Sequence, residues 1–196
     1  MLGVVLCGGQ STRMTTDKGM LKSTDQSTTW AQTALDKLEV LSLASVISIN
    51  RIQYNAYHSF FSNTKLVYDN SFLKIKGPLL GVLSVHAQYP NEDLFLLACD
   101  MPLMEPFILK ELLDLHFQKK EIEAFVFSVK QELEPLCGIY TAKGLTTILE
   151  MYHSGNLRKN SMKFILEQLR ILQVSVPIEN EIYFKNFNTH AMLNGL

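Results

Sequence analysis

Two glycines and two cations stand close together near the start of the chain: Gly8 and Gly9, then Arg13 and Lys18, in LCGGQSTRMTTDK. Glycine leaves backbone N–H groups uncovered where a chain turns off a strand, and such groups converge readily on an anion. Arg13 can fork two hydrogen bonds onto phosphate oxygens, and Lys18 adds a mobile point charge. A plain connecting turn is the alternative, because the segment is neither G-x-x-x-x-G-K-[ST] nor G-x-G-x-x-G. Far along the chain, Asp100 follows the apolar LFLLAC directly. A carboxylate at the end of a buried strand holds Mg2+ when substrate phosphates complete the shell, and an Asp before Pro102 also starts a turn. Opposite a glycine loop with two cations, Asp100 is read as the metal ligand. These parts suit in-line attack of an oxyanion on the α-phosphate of a nucleoside triphosphate. Arg13, Lys18 and Mg2+ would neutralise the departing pyrophosphate.

The elements that must hold these residues follow from the apolar pattern. LGVVLC is a continuous β-branched run that suits a strand buried on both faces, and SVISIN, KLVYDN and DLFLLACD read as three more. TTWAQTALDKLEVL carries Trp30, Ala34, Leu38 and Leu41 at helical spacing behind a capping run of Ser and Thr. GPLLGVLSVHAQY begins with Pro78 in a first turn. EPFILKELLDLHFQKK turns Phe107, Leu109, Leu112, Leu113 and Phe117 inward and ends in Lys119 and Lys120. Alternating strands and helices predict an α/β fold: a single Rossmann-like domain with a mostly parallel central sheet covered by helices on both faces. EAFVFSV, PLCGIYT, LQVSVPI and YFKNFN extend the sheet, with room for an antiparallel strand. Helices over KGLTTILEMY and SMKFILEQL lie among them.

Ligands of such sheets bind beyond the carboxyl ends of the strands. Those ends carry the glycine loop, then Asn50, Asp69, Cys99 to Pro102, and, from YFKNFN, Asn186, Asn188 and Thr189. The unusual polar residues therefore gather on one edge.

Bulk properties set the limits. The chain has 196 residues, 47% apolar and 19% charged, with a net charge of −1, which fits one globular domain and argues against general nucleic-acid binding. Cys7, Cys99 and Cys137 show no zinc-like spacing and read as buried, reduced thiols, with a strand-end nucleophile as the alternative. Five scattered histidines suggest no metal site. No stretch has the length of a bilayer span or the pattern of a signal peptide, so a cytoplasmic protein without membrane association is expected.

LCGGQSTRMTTDK resembles the signature of MobA, the molybdenum cofactor guanylyltransferase family of Rossmann-like nucleotidyltransferases. The likeness continues through ISINR, VYDN, GPLLGVLSV, LACDMP, EPLCGIY and NFNT. It implies that Leu6, Cys7 and Gly8 contact the nucleotide through their backbones, with Gly9 in the same loop. Lys18 would reach its phosphates, Arg13 the departing pyrophosphate, and Asn50 and Asp69 the region of guanine and ribose. Asp100 would hold Mg2+, and Asn186 and Asn188 would face molybdopterin. The implied reaction joins GMP from GTP to molybdopterin (or Mo-molybdopterin) in a monomer, with a nucleotide-binding part at about 1–103 and an acceptor part at about 104–196. Implied partners are molybdenum cofactor biosynthesis proteins and recipient molybdoenzymes. Thr15 departs from the family's glycine, and Cys7 from its usual alanine. A cytidylyl relative, for which Ala in place of Gly8 would be the mark, and a non-catalytic homologue are the competing readings. From the residues alone, Asn50 and the Asp69–Asn70 pair serve equally as turn formers, Asn188–Thr189 as a helix cap, and Arg158 and Lys159 as solvated charge or a grip on a pterin phosphate.

Overall fold

The computed structural model describes residues 1–8, 17–22 and 28–187. Seven strands among them form one sheet: β1 (Leu2–Leu6), β2 (Ser45–Ile49), β3 (Lys65–Tyr68), β4 (Leu94–Ala98), β5 (Ala124–Val129), β6 (Glu132–Tyr140) and β7 (Ile171–Ser175). Their order is β3-β2-β1-β4-β6-β5-β7, and all pairs are parallel except those made by β6. The expected α/β architecture is therefore present, and its antiparallel member is β6.

The two apolar runs at the centre explain this order. All five residues of β1 and all five of β4 are buried, because helices cover both sides of the sheet. Alternate residues face opposite ways. Val5 and Cys7 join a core with α1 (Trp30–Val40), Tyr57 of α2 (Tyr54–Phe60) and α4 (Pro106–Gln118). Val4 and Leu6 join a second core with α3 (Pro78–Gln88), α5 (Ala142–His153) and α6 (Met162–Leu166). Helix starts follow the sequence closely: the Thr29 hydroxyl caps α1 by accepting from Gln32 N–H, and Pro78 occupies the first turn of α3.

Two expectations are corrected. In α4, Phe107 and Phe117 point outward, and the buried stripe is Ile108, Leu109, Leu112, Leu113 and His116. That stripe is the face one helical repeat can lay on β5 and β6, and Phe107 instead meets Tyr183 edge-on at 5.7 Å. In YFKNFN, the described residues 183–187 form no strand. Pro177 opens a 3-10 segment over Ile178–Phe184, with Glu179 and Glu181 in its first turn, where acidic side chains favour helical backbone. Phe184 is then buried against Phe127 and Phe187 against Trp30.

Candidate active site

The site lies at the carboxyl edge of β1, β2, β3 and β4. A cleft of about 490 Å³ opens there, walled by Leu6 of β1 and Gly8 beyond it, Ser48 of β2 and Asn50 just after it, Asp69 just after β3, and the first turn of α3. Gly77 starts that turn with φ +78°, a left-handed backbone that suits glycine. Gly81 lets the helix come close to the sheet, since a Cβ there would stand 2.7 Å from the Ser48 hydroxyl oxygen. That hydroxyl is buried and has no hydrogen-bond partner among the described residues.

Lys18 and Asp100 come from distant parts of the chain and meet: Lys18 Nζ donates to Asp100 Oδ2 at 2.8 Å, with both side chains partly exposed. Asp17 N-caps the 3-10 turn Lys18–Met20 through a 3.0 Å bond from Gly19 N–H, which fixes the path of Lys18. The Asp100 loop is held from two further sides. Lys37 Nζ donates to the Pro102 carbonyl at 2.6 Å, and Phe187 N–H donates to the Asp100 carbonyl at 2.9 Å. Burial pushes the Lys37 ammonium down to about 8, opposed first by the charge of Glu105.

The expected site residues divide by position. Leu6, Gly8, Asn50 and Asp69 line the cleft, and Lys18 and Asp100 form the ion pair. Asn50 is also a cap, its Oδ1 accepting from Ile52 N–H at 2.9 Å and Gln53 N–H at 3.2 Å. In the Asp69–Asn70 pair the turn belongs to Asn70, whose Oδ1 accepts from Phe72 N–H, while half-buried Asp69 faces the cleft and burial raises its carboxyl pKa.

Cys7 stands behind the cleft wall: its N–H donates to the Ser48 carbonyl, and its own carbonyl accepts from Gln53. Gly8 N–H also donates to the Ser48 carbonyl at 3.0 Å, so strand pairing, not an anion, takes that donor. A Cβ on Gly8 would meet nothing closer than 3.7 Å. Asn186 is exposed in coil beside the Phe187–Asp100 tie, not at a strand end. Gly9, Arg13, Thr15, Asn188 and Thr189 lie outside the described residues. All three thiols are free, and burial keeps Cys137 protonated, as a hydrogen bond to Cys7 and burial do for Cys99, which leaves neither suited to act as a nucleophile.

Sequence reasoning passed over Ser48, Lys76 at the cleft lip and Gln53. Only Gln53 carried a signal, the Asn-x-x-Gln spacing of a capping box. Among the described residues no three His, Cys, Asp or Glu side chains cluster as a metal cage. Asp100 Oδ1 has no hydrogen-bond partner among them, which fits a hard cation held by one carboxylate and substrate phosphates. No described helix is long and apolar enough to cross a membrane.

A mostly parallel seven-stranded sheet in this order, with a cleft and a Lys–Asp pair at its carboxyl edge, is the fold of the α/β nucleotidyltransferases. The sequence pattern of the MobA-like NTP transferase domain matches residues 3–171, and the chain belongs to that family. It is 26% identical over 196 residues to a probable molybdenum cofactor guanylyltransferase of Geobacillus sp., covering 96% of this chain and 94% of that protein. A protein of the same description from Nostoc sp. is 30% identical, over 96% of this chain and 86% of the relative. Among solved structures, molybdopterin-guanine dinucleotide biosynthesis protein A from Archaeoglobus fulgidus shares the fold with a TM-score of 0.77 at 20% identity, covering 100% and 96% of the two chains.

Proposed function

We propose that this chain transfers GMP from GTP to the terminal phosphate of molybdopterin, giving the guanine dinucleotide form of the cofactor. An acceptor phosphate oxygen forms a bond to the α-phosphorus of GTP. The bond from that phosphorus to the bridging oxygen breaks, and pyrophosphate leaves with the electron pair. The observation that carries this reading is the Lys18–Asp100 pair beside a cleft large enough for a nucleoside. The names of the relatives supply the choice of base and acceptor.

In this reading the cleft takes the nucleoside, with Leu6 and Gly8 along one wall and Asn50 and Asp69 offering side-chain polar groups. Lys18 turns from Asp100 to the phosphates, where its charge offsets that developing on the leaving group. Asp100 would hold Mg2+, which when bound would polarise the phosphates and offset the charge of pyrophosphate. Arg13 and Gly9 keep the phosphate roles that the resemblance gives them. Asn186 and Asn188 keep the acceptor roles that the resemblance gives them, with a nucleotide part at about 1–103 and an acceptor part at about 104–196. A monomer working in the cytoplasm completes the proposal.

Calorimetric titration with GTP, CTP and ATP, with and without Mg2+, tests it, followed by pyrophosphate release in the presence of molybdopterin. Preference for GTP and molybdopterin-dependent release are expected. Preference for CTP would move the chain to a cytidylyl activity.

A further inference from the structure

Gln53 ties together two pieces of the site that the sequence leaves apart. It closes the 3-10 turn Arg51–Gln53 after β2, and its carboxamide faces two ways. Oε1 accepts from Asn50 N–H at 2.8 Å, which completes the capping box. Nε2 donates to the Cys7 carbonyl at 2.9 Å and to Asp17 Oδ2 at 2.6 Å. Asp17 Oδ1 is in turn filled by Gly19 N–H at 3.0 Å and by the hydroxyl of fully buried Tyr57 at 3.0 Å. Both amide hydrogens and the amide oxygen are thus engaged, and a flipped amide would set oxygen against oxygen at Cys7 and Asp17.

The cap alone does not account for this residue. A capping box needs only an acceptor at its third position, and Glu serves there as well as Gln. The donor half is what Gln adds, and that half reaches the end of β1 and the turn that carries Lys18. We infer that Gln53 is a positioning residue for triphosphate binding. With Asp17 it forms a clamp that joins Cys7 to the Lys18 turn and sets the Lys18 backbone where its ammonium meets Asp100. A tie made before the ligand arrives removes ordering cost from the binding step. The inference rests on the proposal that Lys18 meets nucleotide phosphates.

The test uses the full chain as wild type, as Gln53→Glu and as Gln53→Glu combined with Asp17→Asn. Each is titrated calorimetrically with GTP and with guanosine, and each is melted to verify folding. Gln53→Glu keeps the capping acceptor but turns a donor into a charged acceptor facing Asp17 and the Cys7 carbonyl. GTP affinity is expected to fall about tenfold, the scale of a hydrogen bond to a charged partner turned repulsive, while guanosine affinity stays constant. In the double variant the amide at position 17 can donate to the new carboxylate, which remakes the tie to the Lys18 turn but not the one to the Cys7 carbonyl, so part of the GTP affinity should return.

Wild-type GTP affinity in the single variant would overturn the inference. So would an equal loss for GTP and guanosine, or a double variant no better than the single. If the wild type prefers another triphosphate, the guanine reading fails alone, and the clamp is judged by the same triphosphate-to-nucleoside ratio for that nucleotide. Absence of binding to any triphosphate overturns both.

Discussion

The two sides of the sheet meet the active edge in opposite ways. On the side of β3, β2, β1 and β4, every strand delivers its last residue to the edge, and the polar groups there interlock. Asn50, Gln53, Asp17 and Tyr57 satisfy one another, and Lys18 meets Asp100. On the far side, β6 runs against its neighbours, so its beginning reaches that edge. A bulge opposite Val126 and Phe127, where the Tyr140 hydroxyl donates to the Pro135 carbonyl, sets Glu134 there. Glu134 is half-buried, its carboxylate has no hydrogen-bond partner among the described residues, and Asp100 is among the charges acting on it. Short parallel crossovers build a shared polar shell. A reversed strand contributes one isolated charge.

The largest effect should come from the shared side. Asp100→Ala is expected to lower metal-dependent turnover by about 10²- to 10³-fold, the scale set by loss of one electrostatic contact to a developing charge. Its melting temperature should change little, because Asp100 is partly exposed. Near-normal pyrophosphate release in that variant would remove Asp100 from the chemistry.

A smaller effect, read through pH, should distinguish the isolated side. Burial raises the Glu134 carboxyl pKa above its ordinary value of 4.5, with Lys163 pulling the other way. In the window from about 4.5 up to the folded-state value, the native chain binds more protons than the unfolded one, so this group removes stability as pH rises. The melting temperature of Glu134→Gln relative to wild type should therefore climb between pH 4 and pH 7. A relative fall over that range would mean that Glu134 is paired, and the contrast between the two sides would not hold.

The smallest effect belongs to the exposed Lys163–Glu132 pair. Lys163→Ala should leave the melting temperature unchanged in 0.5 M salt, because solvent and salt screen such pairs. A shift above about 3 °C, the equivalent of roughly a kilocalorie in a chain of this size, would make it more than a surface contact.

Much of this was legible in the residues. β1 and β4 announced themselves because burial on both faces demands an unbroken apolar run, and Pro78 marked the first turn of α3. Helix α2 was not legible: seven residues carry too little periodicity, and burial of Tyr57 and Phe61 against β1 and β2 stabilises it. The ion pair could be anticipated from residue type and strand order. The fate of the Gly8 N–H could not, because the neighbouring Ser48 carbonyl takes it, and register between strands is not written in either one alone. The role of Gln53 lay half in view, since its capping spacing is local while its donor bonds cross the fold.

Phe187 gives its N–H to the Asp100 carbonyl only after every strand of the sheet has been synthesised. The residues that set the sheet order are thus complete at Ser175, and a chain cut just before that phenylalanine would keep every strand while the loop bearing Asp100 lost this backbone tie.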